Sequence, residues 1–159
     1  MKIRSSTLGF TLMELILVIV LLSILSLFAA SRFMGSSSFS AYTLQERVIS
    51  VIRQVQVNRM QSNVASPDNN FRLQVSRSCI GSVAACALTG STQDARSDVV
   101  IDKSAKFSVI SGAANTINFN LLGNPVSGAV NILIEAKYGR SRCQVEINSQ
   151  GYVSKGTCS

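Results

Sequence analysis

Gly9-Phe10-Thr11-Leu12-Met13-Glu14-Leu15 opens an apolar run that continues through Ile16-Leu17-Val18-Ile19-Val20-Leu21-Leu22 to Ala30. A single carboxylate, Glu14, interrupts it near its start. A charge at that depth costs about 2.5–3.5 kcal/mol if it faces lipid unpaired, so Glu14 calls for a partner. The run from Phe10 to Ala30 reaches the roughly 20 residues that cross a bilayer as a helix. It exceeds the apolar region of a secretory signal, about 7–15 residues, although Ala29-Ala30-Ser31 imitates a signal-peptidase site. Lys2 and Arg4 are the only charges ahead of it, which places residues 1–9 on the cytoplasmic side and the remainder outside. The expectation is a transmembrane helix over 10–35.

The helical pattern does not stop there. Residues 38–62 contain neither Pro nor Gly, and Leu44, Val48, Val51, Ile52 and Val55 recur at helical spacing. Glu46, Ser50, Arg53 and Gln54 fall toward the other side, so 36–63 reads as an amphipathic extension of the same helix. Ser66-Pro67-Asp68-Asn69-Asn70 ends it, with Pro67 as the breaker. A single helix over 10–63 would measure about 80 Å at 1.5 Å per residue.

Beyond Asn70 the period becomes two. Phe71, Leu73 and Val75 alternate with polar residues, as do Phe107 and Val109, Ile117 with Phe119 and Leu121, Val130 with Ile132 and Ile134, and Cys143 with Val145 and Ile147. These read as half-buried antiparallel strands. Gly123-Asn124-Pro125, Ser127-Gly128 and Gly151 supply turns, and 78–92 reads as a small-residue loop. The expected class is therefore α+β, one long N-terminal helix packed on a small antiparallel β domain over 70–159.

Four cysteines and no histidine in an exported chain suggest two disulfides. Of the three pairings, the local one is expected: Cys79 with Cys86 and Cys143 with Cys158. Each bond closes a short loop and should stabilise by about 2–3 kcal/mol. Neither pair has redox or zinc-finger spacing.

Catalysis has little to stand on. Without histidine a Ser-His-Asp or Cys-His arrangement is excluded, and no phosphate-binding or metalloprotease motif occurs. The expectation is no enzyme, no cofactor and no metal. Asp94, Asp98 and Asp102 are the one sparse acidic group with hard-cation chemistry, and they read better as solvated ends of a strand.

The chain carries a net charge of +7, and Lys137-Tyr138-Gly139-Arg140-Ser141-Arg142 is its most concentrated basic piece. Two guanidinium groups on a projecting turn can meet phosphates. Glu135 and Glu146 can instead pair with them across the hairpin, and that reading is preferred. One tyrosine does not make a stacking platform for single strands.

The basic leader, Gly9, Phe10 and T-L-x-E-L before an apolar helix resemble the type IV pilin and pseudopilin family. That resemblance implies cleavage by a prepilin peptidase between Gly9 and Phe10, N-methylation of Phe10, and pairing of Glu14 with a neighbouring subunit's amino terminus during assembly. Many family members carry Gly and Pro inside this segment, where this chain has Ser23 and Ser31. Gly35 is the first flexible residue.

Phe119 to Gly123, followed by strand, hairpin and Gly151-Tyr152-Val153, is similar to the end of the GspH/FimT branch of minor pilins. The stretches 30–42 and 51–56 resemble MshC-type minor pilins of the mannose-sensitive haemagglutinin (MSHA) pilus. The resemblance implies a minor pilin for surface attachment, held in the bacterial inner membrane as a single-pass protein with its domain in the periplasm, then incorporated into the pilus. Its implied partners are other pilins, the peptidase, the assembly platform and the membrane. The other readings are a type II secretion pseudopilin and a DNA-uptake pilin, in which Gly139-Arg140-Ser141-Arg142 resembles a nucleic-acid-binding element.

Overall fold

A computed structural model describes residues 11–34, 40–112 and 114–159, with side chains described for 11–26, 41–112 and 114–159. Gly9 and Phe10 lie outside the described residues. The chain divides into two units, Met1–Ser36 and Ser37–Ser159.

The first unit holds one described helix, α1 (Leu12–Met34). The second holds α2 (Ser40–Gln61), β1 (Arg72–Val75), β2 (Cys79–Ser82), α3 (Val83–Cys86), α4 (Ser91–Asp94), β3 (Val99–Ile101), β4 (Ala105–Ser111), β5 (Thr116–Asn118), β6 (Val130–Ala136), β7 (Arg142–Ile147) and β8 (Val153–Cys158).

This corrects the expected fold class in three respects. The helix expected over 10–63 is described as two helices, which flank Gly35-Ser36-Ser37-Ser38-Phe39, residues that lie outside the description. Among the described residues no helix is long and apolar enough to cross a membrane. The side chains described in α1 run only to Ser26, short of the roughly 20 apolar residues a span requires. Finally, the β region is two four-stranded antiparallel sheets, ordered β3-β2-β1-β5 and β4-β6-β7-β8. The coarse α+β description stands.

The sheet partition follows from pairing that is not local. β1 pairs with β2 and, across the chain, with β5, where Leu73 faces Ile117. β4 skips β5 and pairs with β6, Phe107 opposite Ile134. β6, β7 and β8 then form a meander. The sheets are tied directly where the Phe107 amide donates to the Arg77 carbonyl at 3.1 Å.

One core joins both sheets to α2. Leu44, Val48, Val51, Ile52 and Val55 are all buried, as the helical spacing predicts, together with Ala41 and Ile49. They pack with Leu73, Ile80, Val100, Ile117, Phe119, Ile132, Ile134, Val145 and Ile147 from the sheets. A fully buried aliphatic or aromatic side chain contributes about 1.5–3 kcal/mol. Glu46, Ser50 and Arg53 are on the exposed side, and Glu46 pairs with Lys155 of β8.

Strands β2 and β8 do not follow from the sequence alternation. β2 lies within the stretch read as a loop, and all four of its residues are buried. Gly81 permits this: a Cβ there would come within 2.4 Å of the Asp98 carbonyl oxygen, and 2.7 Å of the Val99 Cα.

Candidate functional site

α1 starts on Thr11, which acts as its cap. The Glu14 amide donates to the Thr11 hydroxyl at 3.3 Å and to the Thr11 carbonyl at 3.1 Å. Thr11-Leu12-Met13-Glu14 has the spacing of a capping box, and Glu14 sits in the first turn, where the helix dipole favours a carboxylate.

Beyond that turn, every described side chain of α1 except Ser23 and Ser26 is apolar and exposed. Exposure of Ile16, Leu17, Val18 and Ile19 runs from 44% to 59%, so among the described residues no side of this stretch is covered. The two serines turn their hydroxyls inward, to the Ile19 and Leu22 carbonyls at 2.7 Å. Over residues 15–26 the helix therefore presents hydrocarbon all round, with one carboxylate in the turn before it, a surface that demands apolar surroundings.

The basic turn is the hairpin between β6 and β7. Glu135 and Arg142 face each other in register, and the Arg142 Nε lies 3.2 Å from the Glu135 carboxylate. Lys106 approaches the same carboxylate at 3.7 Å. Lys137 stands over the Tyr138 ring, 5.3 Å from its centroid. Arg140 is exposed, with no ion pair among the described residues, and Glu146 pairs with neither arginine there. The preferred cross-hairpin pairing is thus present for Glu135 with Arg142 alone.

The acidic group is dispersed. Asp102 accepts from the Ser104 amide and hydroxyl, at 2.7 and 2.5 Å. Asp98 is held by Arg96, with bonds of 2.8 and 2.7 Å. Asp94 is exposed in α4. Among the described residues no three metal-ligating side chains come together.

Arg96 and Asp98 instead brace the disulfide loop. Arg96 also reaches Ser82, whose hydroxyl caps α3 by accepting from the Ala85 amide at 3.1 Å. Burial pushes the Asp98 carboxyl up, but hydrogen bonds from Arg96 and Ser82, together with the Arg96 charge, hold it below the ordinary carboxylate range. Arg96 is raised, chiefly by its hydrogen bond to Asp98.

As pH falls, the unfolded carboxyl takes up its proton before the folded one. The stabilisation is therefore complete above about pH 4 and is lost as pH drops through the lower folded value. Asp98→Asn should accordingly be less stable than the parent at pH 7, by about 1–3 kcal/mol for a charged hydrogen-bonded group. The gap should narrow in denaturant titrations at the lowest pH at which the chain stays folded, as the folded carboxyl takes up its proton. An equal gap at both pH values would assign the loss to packing.

The disulfides are those expected from the sequence, Cys79–Cys86 and Cys143–Cys158, and no cysteine is free. Their Cα separations, 6.0 and 4.1 Å, differ because the first crosses from β2 to the end of α3, whereas the second bridges directly opposed residues of β7 and β8. The second bond pins the C-terminal strand to the sheet interior.

A set of polar residues on α2 escaped the sequence reading. Gln45, Gln56 and Arg59 are all buried. The Gln45 side-chain amide donates to the Gln144 and Gly156 carbonyls at 2.7 and 3.2 Å. That of Gln56 donates to Gly123 and Gly151 at 2.9 and 2.8 Å. Arg59 donates to the Phe119 and Val64 carbonyls at 3.1 and 2.8 Å and to Ala65 at 3.3 Å. Gln45 and Gln56 lie about three turns apart, so this polar line runs beside the apolar stripe. Its only signal in the sequence is three polar residues at positions that an apolar face would otherwise claim.

Comparison with protein-family models, with curated proteins and with solved structures found no match.

Proposed function

We propose that this chain is a minor pilin that takes part in assembling or initiating a type IV pilus of the MSHA kind, used for surface attachment. The observation that carries the reading is α1: a helix exposed and apolar on every described side, with one carboxylate, Glu14, in its first turn. Such a helix is stable among other helices of the same character. Packed there, Glu14 would meet the cationic amino terminus of an adjacent subunit.

Before assembly the same apolar surface holds the chain at the inner membrane, with the disulfide-bonded unit in the periplasm, where cysteines oxidise. The partners are other pilins, the prepilin peptidase and the assembly platform.

Processing tests the proposal. Mass spectrometry of the protein from the membrane fraction should find a chain beginning at N-methylated Phe10. Gly9→Val should reduce the processed fraction to near zero, because the branched side chain crowds the cleavage point. A mature chain beginning at Met1, or after Ala30, would remove the pilin reading altogether.

A further inference from the structure

One end of the second sheet is a cleft of about 620 Å³, lined by Arg77, Lys103, Lys106, Lys137, Glu135 and Ser78, with Ala105 and Ala136 also in its wall. Its size falls within the range of small-molecule sites, about 300–1,000 Å³. Ala105 and Ala136 are opposed in register between β4 and β6, so two of the smallest side chains occur where larger ones would fill the space.

Three backbone bonds hold the cationic segments around it. Phe107 donates to Arg77, Asp102 to Ser78, and Lys137 to Ser104, at 3.1, 3.1 and 2.7 Å. The cations come from positions 77, 103, 106 and 137; Lys137 alone belongs to the basic run 137–142, and neither a charge run nor a motif announces the other three.

Four cations face one carboxylate. Arg77 and Lys103 are exposed and have no ion pair among the described residues. Lys106 shares Glu135 with Arg142, and Lys137 lies over Tyr138. Asp102, the nearest other acid in sequence, is turned to Ser104. The cleft therefore favours an anion.

Glu135 narrows the class further. A carboxylate has about four lone-pair positions, more than Lys106 and Arg142 occupy, so acceptor capacity remains for hydroxyl donors. A DNA backbone brings phosphates and no such donors, and Glu135 would repel it. A sugar acid brings a carboxylate for the cations and hydroxyls for Glu135 and Ser78. Lysines predominate here, and they act as compact point charges rather than the planar forks suited to bidentate phosphate recognition.

We propose that this cleft binds acidic polysaccharide through the carboxylates of its sugar residues, with Arg77, Lys103, Lys106 and Lys137 as the anion-binding groups and Glu135 as the hydroxyl acceptor. The inference does not depend on the filament reading.

The test is fluorescence titration of the full chain in nonionic detergent with a galacturonic-acid oligosaccharide of about ten sugars. A neutral glucose oligosaccharide of equal length and a single-stranded DNA oligonucleotide serve as comparators. The acidic sugar should bind saturably, and rising salt should weaken it, since exposed charges are screened within about 10 Å at 0.1 M. The double variant Arg77→Gln/Lys103→Gln, both positions exposed, should lose about tenfold or more in affinity, equivalent to about 1.4 kcal/mol. Arg140→Gln should leave it essentially unchanged. Equal affinity for the parent and the double variant, equal binding of the neutral sugar, or no binding would overturn the proposal. So would DNA binding more tightly than the acidic sugar, with loss on Arg140→Gln; that result would assign the basic end to nucleic acid.

Discussion

If the chain assembles as proposed, Glu14→Leu is expected to leave it folded, membrane-associated and processed, and to remove it from pili almost completely. In assembled surroundings of low dielectric, taking away one partner of a buried ion pair costs about 3–5 kcal/mol, because the other charge stays buried and alone. That corresponds to a loss of incorporation of more than about a hundredfold. The substitution makes α1 more apolar and removes the cost of burying a carboxylate, so a role in hydrophobic packing alone predicts improved incorporation instead.

The capping geometry offers a second structural explanation, since Glu14 follows Thr11 at capping-box spacing. Glu14→Gln separates the two, because Gln serves at that position of a capping box and carries no charge. Immunodetection of the chain in sheared pili should show both variants depleted. Normal recruitment of Glu14→Gln with loss of Glu14→Leu would assign Glu14 to helix capping. Normal recruitment of both would end the assembly role.

Legibility in this sequence followed periodicity closely. The α2 stripe was readable because Leu44, Val48, Ile52 and Val55 repeat at about 3.6 residues and one face is buried. The cores of β1, β4, β6 and β7 were readable because one face of each is more buried than the other. β2 was not, because its residues are buried on both faces and leave no alternation to detect. The division into two sheets was also hidden, since it depends on β1 pairing with β5 and β4 with β6, choices made across the chain.

The long helix expected over 10–63 is described only as α1 and α2. Apolar and amphipathic patterns on either side of Gly35 each indicate helix, but neither indicates continuity. The disulfides were legible because short spacing restricts the partners. Cysteine separations of 7 and 15 leave little chain to arrange, and both bonds form within neighbouring elements.

Sites assembled from distant residues were invisible at the sequence level. Gly139-Arg140-Ser141-Arg142 drew notice as the densest basic run, yet Arg142 is engaged by Glu135. The cleft cations are separated by as many as sixty positions, and only Lys137 lies in that run. The same limit applies to the buried polar residues of α2, whose acceptors are main-chain carbonyls that no side-chain pattern reveals.

Arg59→Leu is expected to destabilise the second unit strongly. The Arg59 side chain is buried, the residue being 3% exposed, and has no carboxylate partner among the described residues. Its charge is instead distributed over the carbonyls of Phe119, Val64 and Ala65 and the Ser62 hydroxyl, at the C-terminal turn of α2 where the helix dipole also favours a cation. These bonds fasten the helix end to the segment that leaves it and to the chain after β5.

Leucine would keep much of the apolar volume and leave those acceptors unpaired, each at about 1–3 kcal/mol where water cannot enter. A total loss of about 3–5 kcal/mol follows, lowering the melting temperature by about 10 °C or more. Lysine restores the charge but not the fork that spans separate carbonyls, so Arg59→Lys should recover only part of the loss. Thermal unfolding with disulfides intact measures both. A loss below about 1 kcal/mol in Arg59→Leu, or full recovery by lysine, would show that the fork geometry does not hold the end of α2 in place.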